Sequence, residues 1–237
     1  MKNRSNKIYK ILHKQNEIEI IIKKNKLSRN YKLTFDKKRL SGLVSIPRYV
    51  SFREGYNFAQ ENSQWLIEQY NEMMPIIIIE DSAIINFEGK KRKLVYLYDN
   101  KPNVVIGHKS IIITGEKNIH KKIFFRWIKK RISEKTKHTI SNFSKLLNVK
   151  IKNVKLSNSF SYWGSCNSNN DININWRLAF SPPEVLEYII AHEMCHLVEF
   201  NHSEKFWKLV DRLVPKRKSK EMWLKKNGNY LYRIRFD

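Results

Sequence analysis

The segment His192-Glu193-Met194-Cys195-His196 carries two imidazoles four residues apart, with a carboxylate directly after the first. On a helix, residues at i and i+4 lie one above the other, so both rings could converge on a single ion. Neutral imidazole is a good zinc ligand, and a tetrahedral ion needs donors beyond these two. Glu193 is displaced about 100° around the helix from His192. That offset suits contact with a water molecule beside the ion, which is where a general base belongs. The chemistry to expect is hydrolysis, with zinc lowering the pKa of water towards ~7 and Glu193 taking its proton.

A third donor is sought nearby. Three of the seven histidines fall between 192 and 202, and His202 follows His196 with five residues between. For His202 to swing back, the helix must end first, and Asn201 tolerates the left-handed conformation that such a turn uses. Metzincin proteases have the same five-residue spacing with Gly at the third intervening position. Here Glu199 stands there, so the turn must be built differently. Glu199 and Glu204 are rival carboxylate donors, while Ser203 is suited to cap the next helix. His13, His108, His120 and His138 read as ordinary hydrogen-bonded histidines, and Cys195 as a small core residue. Trp163-Gly164-Ser165-Cys166 reads either as a tight turn holding a buried Trp or as a border of the site, since Gly permits close backbone approach. Arg177, Tyr188 and Tyr162 are candidates for stabilising an oxyanion.

The helix that must carry the motif has its own start signal in Ser181-Pro182-Pro183-Glu184: a capping Ser, Pro in the first turn and Glu three residues on. It is expected to run to about Phe200. A second helix is expected from Ser203, with Phe206, Trp207, Val210 and Leu213 inward and an end before Pro215. A short one over Lys220 to Lys226 should close at Gly228. Asn153 to Ser159 and Asp171 to Trp176 read as strands, the latter as an edge beside the zinc helix where an extended peptide could add. Upstream, Ile123, Phe124, Trp127, Ile128, Ile132, Ile140, Phe143 and Leu147 define one face of a long helix from about 119, with Lys and Arg opposite.

The first ~115 residues read mainly as strands. Tyr31, Leu33 and Phe35 alternate with polar neighbours, and Leu43 to Ile46 is closed by Pro47. Further strands are expected at Ile76 to Ile85, Lys93 to Tyr98, Asn103 to Ile106 and Ile111 to Thr114. One helix is expected over Tyr56 to Met73, with Phe58, Trp65, Leu66 and Tyr70 on its apolar side. The class is α+β: a strand-rich N-terminal domain over 1–118, and over 119–237 a helix-rich, zincin-like catalytic domain with a small antiparallel sheet.

Composition limits the alternatives. Hydrophobic residues at 41% and charged residues at 29% are ordinary for a globular chain. No apolar run nears the ~18 to 20 residues of a membrane span, and the basic N-terminus leads into no signal-like stretch. Cys166 and Cys195 form no disulfide framework, so a reduced cytoplasmic setting is expected. A net charge of +24, from 46 basic and 22 acidic residues, admits nucleic acid or a nucleotide as a partner beside a peptide or protein substrate. It also keeps open a metal-dependent hydrolase of nucleotides or other phosphate esters, and a nucleic-acid-associated protein with structural zinc. No Gly-rich phosphate loop supports the former. A closed structural site would have four protein ligands, and only three stand out.

These residues together resemble the YgjP-like metal-dependent hydrolases, related in their metal site to SprT-like and other H-E-x-x-H peptidases. The carrying stretches are Tyr162 to Cys166, Ile172 to Leu178, Pro183 to Tyr188, His192 to Leu197 and Asn201 to Trp207. Ser45-Ile46-Pro47 and the Trp65 region add a weaker likeness. The resemblance implies zinc at His192, His196 and His202 with Glu193 catalytic. Tyr162 stands where that family often places Arg.

Overall fold

A computed structural model describes residues 6–13 and 16–236, so the first five residues of the basic N-terminus lie outside the described residues, as does the side chain of His13. The chain divides into two compact units, Met1–Ile76 and Ile77–Asp237.

The first unit is a sheet covered by two helices. Strands β1 (Asn6–His13), β2 (Asn16–Asn25), β3 (Lys32–Asp36) and β4 (Ser41–Pro47) lie in the order β1-β2-β4-β3. β2 and β4 are parallel, and the outer pairs antiparallel. Ile18, Ile20 and Ile22 share one face of β2 by the two-residue period and are fully buried with Val44 and Ile46. The single helix expected over 56–73 is two, α1 (Phe52–Glu61) and α2 (Ser63–Glu72). Ser51 and Glu54 form a reciprocal capping box that starts α1 earlier than expected. The break falls at Asn62, whose side-chain amide donates to the Phe58 carbonyl at 2.8 Å and competes with the helix. Leu66 and Ile67 are the buried residues of α2, whereas Trp65 is 39% exposed.

The second unit begins with β5 (Ile77–Ile78), β6 (Ile84–Phe87), β7 (Lys90–Tyr98), β8 (Asn103–Ile106) and β9 (Ser110–Gly115). The last four form a sheet in the order β6-β7-β9-β8. The run expected as one strand over 76–85 is thus divided between β5 and β6. Between them Asp81 accepts a hydrogen bond from the Tyr96 amide at 2.8 Å, which holds a turn in place of a continuous ladder. Helix α3 (His120–Leu147) buries Phe124, Ile128, Ile132, Thr136 and Ile140, every fourth residue. Phe124 and Ile128 join one core with Ile85, Phe87, Leu94, Ile111 and Ile113 of the sheet. The position 118/119, expected as a boundary, therefore lies within the second unit.

The remaining elements position the motif. β10 (Asn153–Ser157), β11 (Gly164–Cys166) and β12 (Asp171–Asn175) make a sheet in the order β10-β12-β11. It is parallel between β10 and β12 and antiparallel between β11 and β12. A 3-10 turn (Trp176–Phe180) leads to α4 (Pro183–Cys195), then α5 (Glu204–Leu213), α6 (Arg217–Arg233) and β13 (Ile234–Arg235), which pairs with β5. The mixed α+β class is as expected. Several local expectations change. Ser181 does not cap α4: its hydroxyl is buried and donates to the Leu178 carbonyl at 2.8 Å, and Pro182 occupies the N-cap without a side-chain bond. β12 is not an edge, because β10 and β11 flank it. Gly228 does not end a short helix. It lies inside α6, where a Cβ would stand 3.3 Å from Trp163 Cζ2 and the indole needs that space.

Phe124 is fully buried at the junction of α3 with the sheet. Phe124→Ala is expected to lower the unfolding free energy by about 3–5 kcal/mol in urea titration, through lost transfer energy and the cavity left.

Candidate metal centre

His192 and Glu193 stand on the last turn of α4, and His196 is its C-cap (φ −65°, ψ −16°). The helix ends before the expected Phe200. Beyond it the Leu197 amide reaches the Met194 carbonyl at 3.1 Å and the Val198 amide the Cys195 carbonyl at 3.0 Å, tighter turns that redirect the chain. The return to His202 needs no left-handed Asn201, which is not among the positive-φ residues. A short contact from the Ser203 amide to the Asn201 carbonyl, 2.7 Å, makes the reversal. Ser203 then caps α5 as expected, accepting from the Phe206 amide at 3.3 Å.

This path brings the three expected histidines together. Their ring centroids lie 4.8–5.1 Å apart, and one ring nitrogen from each falls within 4.8 Å of the others. Among the described residues this is the group of three or more His, Cys, Asp or Glu side chains placed to hold an ion. Glu204, one rival donor, faces Lys208 at 2.7 Å on the exposed side of α5. Glu199 contributes through its backbone: hydrogen bonding with the Glu199 and Phe200 backbone partly offsets the burial that lowers the His196 pKa. Cys195 is fully buried and its thiol is pushed up to about 12 by burial, which disfavours the thiolate a metal would need.

The electrostatics favour donor lone pairs. Burial, then the neighbouring His196 and His202 and the charge of Arg217, push His192 down to about 4, so it is neutral at pH 7. His192 Nε2 lies 3.0 Å from His202 Nε2. Two nitrogens sharing a tetrahedral ion at about 2.0–2.1 Å would be about 3.3 Å apart. His192 Nδ1 is buried with no hydrogen-bond partner among the described residues. Three imidazoles close together, two of them held neutral by burial, fit a nitrogen-binding ion such as zinc.

Aromatic packing holds the rings. Phe206 is fully buried and its ring centroid lies 4.6–5.0 Å from all three imidazoles. Trp207 stacks on His202 at 5.4 Å and carries the Arg217 guanidinium 4.1 Å above its own ring. Arg217 pairs with Asp211 at 3.0 Å and Glu221 at 2.7 Å, and Glu221 accepts from the Tyr188 hydroxyl at 3.1 Å. The sequence places Phe206 and Trp207 inward, but nothing in its periodicity marks the links from Arg217 to Asp211 of α5 and from Glu221 to Tyr188 of α4, which tie α6 to both helices. Of the oxyanion candidates, Tyr188 is thus engaged with Glu221. Arg177 is buried, donates to Asn158 at 2.8 Å and lies against the Phe160 and Trp176 rings. Tyr162 is 46% exposed.

Glu193 is only 7% exposed, and burial alone pushes its carboxyl up to about 7. Its environment includes β11. A Cβ on Gly164 would fall 2.6 Å from both Glu193 Cγ and Oε1, so the carboxylate occupies the space that any other residue there would fill. The Trp163–Cys166 segment is therefore a strand bordering Glu193. Trp163 stacks on Tyr232 of α6 at 4.2 Å and 14°, which fixes the strand from its other side.

The family model for the YgjP-like metallopeptidase domain matches residues 29–227. No curated protein sequence matches the chain. Two solved structures are similar. The metallopeptidase zymogen of Pyrococcus abyssi abylysin is 18% identical with TM-score 0.35, covering 39% of this chain and 92% of its own. The zymogen of Methanocaldococcus jannaschii jannalysin is 22% identical with TM-score 0.34, covering 40% and 96%.

Two outcomes follow from the packing around Glu193. Gly164→Ala is expected to destabilise the protein by about 1–3 kcal/mol in chemical denaturation, because the added methyl must displace a buried carboxylate. In metal-free protein, a carboxyl raised from 4.5 to about 7 binds its proton more tightly when folded. Its ionisation therefore removes stability progressively between pH 4.5 and 7, and the loss is complete above pH 7. Glu193→Gln should match the parent at pH 4.5 and exceed its stability at pH 8 by up to about 3 kcal/mol, read from melts in chelator.

Proposed function

The chain belongs to the YgjP-like metallopeptidase family, and on that premise we propose that it is a zinc-dependent peptidase with His192, His196 and His202 as ligands and Glu193 as general base. The observation that carries this reading is the convergence of three imidazoles, two of them flanking a buried carboxylate on one helix, and that carboxylate makes no ion pair among the described residues. A zinc ion bound there would supply Lewis acidity for the scissile carbonyl and lower the pKa of a water molecule to about 7.

The chain's own residues do the rest. His192 and His196 offer neutral lone pairs without first losing protons, since burial lowers the pKa of both. Glu193 accepts a proton from the attacking water and returns it to the leaving amine. Gly164 leaves room for that carboxylate to stay within the buried wall. β11 is an edge of its sheet, so an extended peptide adding there would gain main-chain hydrogen bonds while passing the Gly164–Glu193 contact. This moves the expected docking strand from Asp171–Trp176 to its neighbour. The described helices include none long and apolar enough to cross a membrane, and the substrate is a peptide or protein reached from solvent.

Metal analysis and a peptide assay test the reading together. About one zinc per chain is expected, lost on combining His192→Ala with His196→Ala. Glu193→Gln should keep the metal and lose about 10²–10⁴-fold in kcat. Full zinc retention by the double variant would rule out the site, and undiminished peptide cleavage by Glu193→Gln would rule out the base.

A further inference from the structure

The charge of this protein is not evenly spread. The 28 residues of α3 contain nine Lys or Arg and one acidic residue, Glu134. Residues 149–203, which include the metal centre, contain four basic and five acidic residues. A general enrichment in lysine would raise both segments, so the excess is concentrated in particular elements, α3 and α6, and in α6 Arg217 is already engaged by Asp211 and Glu221. Within it, Lys122, Arg126, Lys129 and Lys130 are all exposed and fall within an arc of about 100° at 3.6 residues per turn. Arg131 and Lys135 point elsewhere and are both engaged by Glu88 at 2.6 Å. The exposed four are scarcely compensated. Lys130 has Glu134 at 4.0 Å, and among the described residues no carboxylate comes within 4.0 Å of Lys122, Arg126 or Lys129.

We propose that this face of α3 binds the phosphate backbone of nucleic acid. From Lys122 to Lys130 the helix rises about 12 Å, in axial steps of about 6, 4.5 and 1.5 Å between successive cations, a mean of about 4 Å. A nucleic-acid strand carries one charge per about 3.4 Å. An array of that density releases condensed counterions from a phosphate backbone, whereas isolated surface lysines contribute little. Beside the array lies a groove of about 230 Å³ lined by Pro102, Val104, Ile123 and Trp127 together with Arg126 and Lys130. Cations flanking an apolar trough with an indole suit a chain that alternates phosphates with flat rings. An acidic peptide offers the charge without the rings. The surface uses none of the three histidines and does not depend on the peptidase reading.

The test is fluorescence anisotropy with a labelled 20-nucleotide single strand, titrated over a range of salt concentrations. The parent is compared with Lys122→Gln/Arg126→Gln/Lys129→Gln/Lys130→Gln. An equal-charge control carries Lys216→Gln/Lys218→Gln/Lys225→Gln/Lys226→Gln on the basic C-terminal helix and the residue before it. Circular dichroism verifies that both fold. The α3 variant is expected to bind at least about 10-fold more weakly at 0.1 M salt. Its slope of log Kd against log salt should fall by about 3, four contacts at ~0.7 each, while the control changes by less than about threefold. A second variant with arginine at the three α3 lysines should keep the affinity. Equal losses in the α3 variant and the control, no binding by the parent at low salt, or displacement of the strand by polyglutamate at equal charge concentration would each overturn the proposal.

Discussion

The last turn of α4 and strand β11 approach each other more closely than two ordinary side chains would allow, and the setting of Glu193 at the candidate metal centre depends on that approach. At the point of contact Gly164 has no Cβ and Glu193 fills the vacated space, its Cγ and Oε1 only 2.6 Å from where a Cβ would stand. The contact decides where the carboxylate sits and how it titrates. A carboxylate at this position on an exposed helix would be hydrated and ordinary. Pressed under a backbone it loses its water, and desolvation alone pushes its pKa up to about 7. The elements behind the contact serve to keep it. Trp163 is held by stacking on Tyr232, and α6 admits that indole through Gly228.

The same physics acts with opposite sign on the imidazoles. Burial disfavours charge in either case, raising a carboxyl and lowering a histidine. Glu193 is therefore poised between its two protonation states near neutrality, while His192 is neutral throughout the range in which proteins usually work. A site needing neutral donors and a responsive base gets both from one apolar setting, provided by Phe206 and by the α4–β11 contact. In the metal-free chain a Lys or Arg beside Glu193 would undo this, by holding the carboxyl low. Arg217 is held over the Trp207 ring by Asp211 and Glu221, and its charge contributes to lowering His192 rather than Glu193.

How much of this could be read from the sequence depended on range. The i, i+4 histidines, the inward Phe206 and the Ser203 cap are local features, and their helical periodicity and hydrogen-bonding preferences are written in a few adjacent residues. The long helix α3 was legible for the same reason. What escaped was decided by tertiary neighbours. Ser181 has the right type and spacing for a cap, yet its hydroxyl turns back to Leu178 in the preceding 3-10 turn. Gly228 has the signature of a helix end and lies inside α6, because its missing side chain serves Trp163, more than sixty residues away in sequence. Asp171–Asn175 alternates like an edge strand but lies between two others, and nothing in a three-residue strand such as β11 announces itself by period. Asn201 shows the converse, a residue able to adopt a special conformation that the chain did not need.

Charge segregation bears on the metal centre as well as on α3. If 24 excess positive charges surrounded His192 and His196, their low pKa values would reflect the protein's overall field and would rise sharply with salt. The segment from 149 to 203 is almost balanced instead, and the first cause of the shifts at His192 and His196 is burial. Exposed charges more than about 8 Å away are largely screened at physiological ionic strength, whereas desolvation is not. His192 and His196 should thus stay neutral across a wide range of salt, while any polyanion held on α3 responds steeply to it. One chain carries two electrostatic regimes: a dry one set by packing, and a wet one set by counterions. Separating them allows a strongly basic protein to keep a neutral nitrogen site without its net charge dictating the site's protonation.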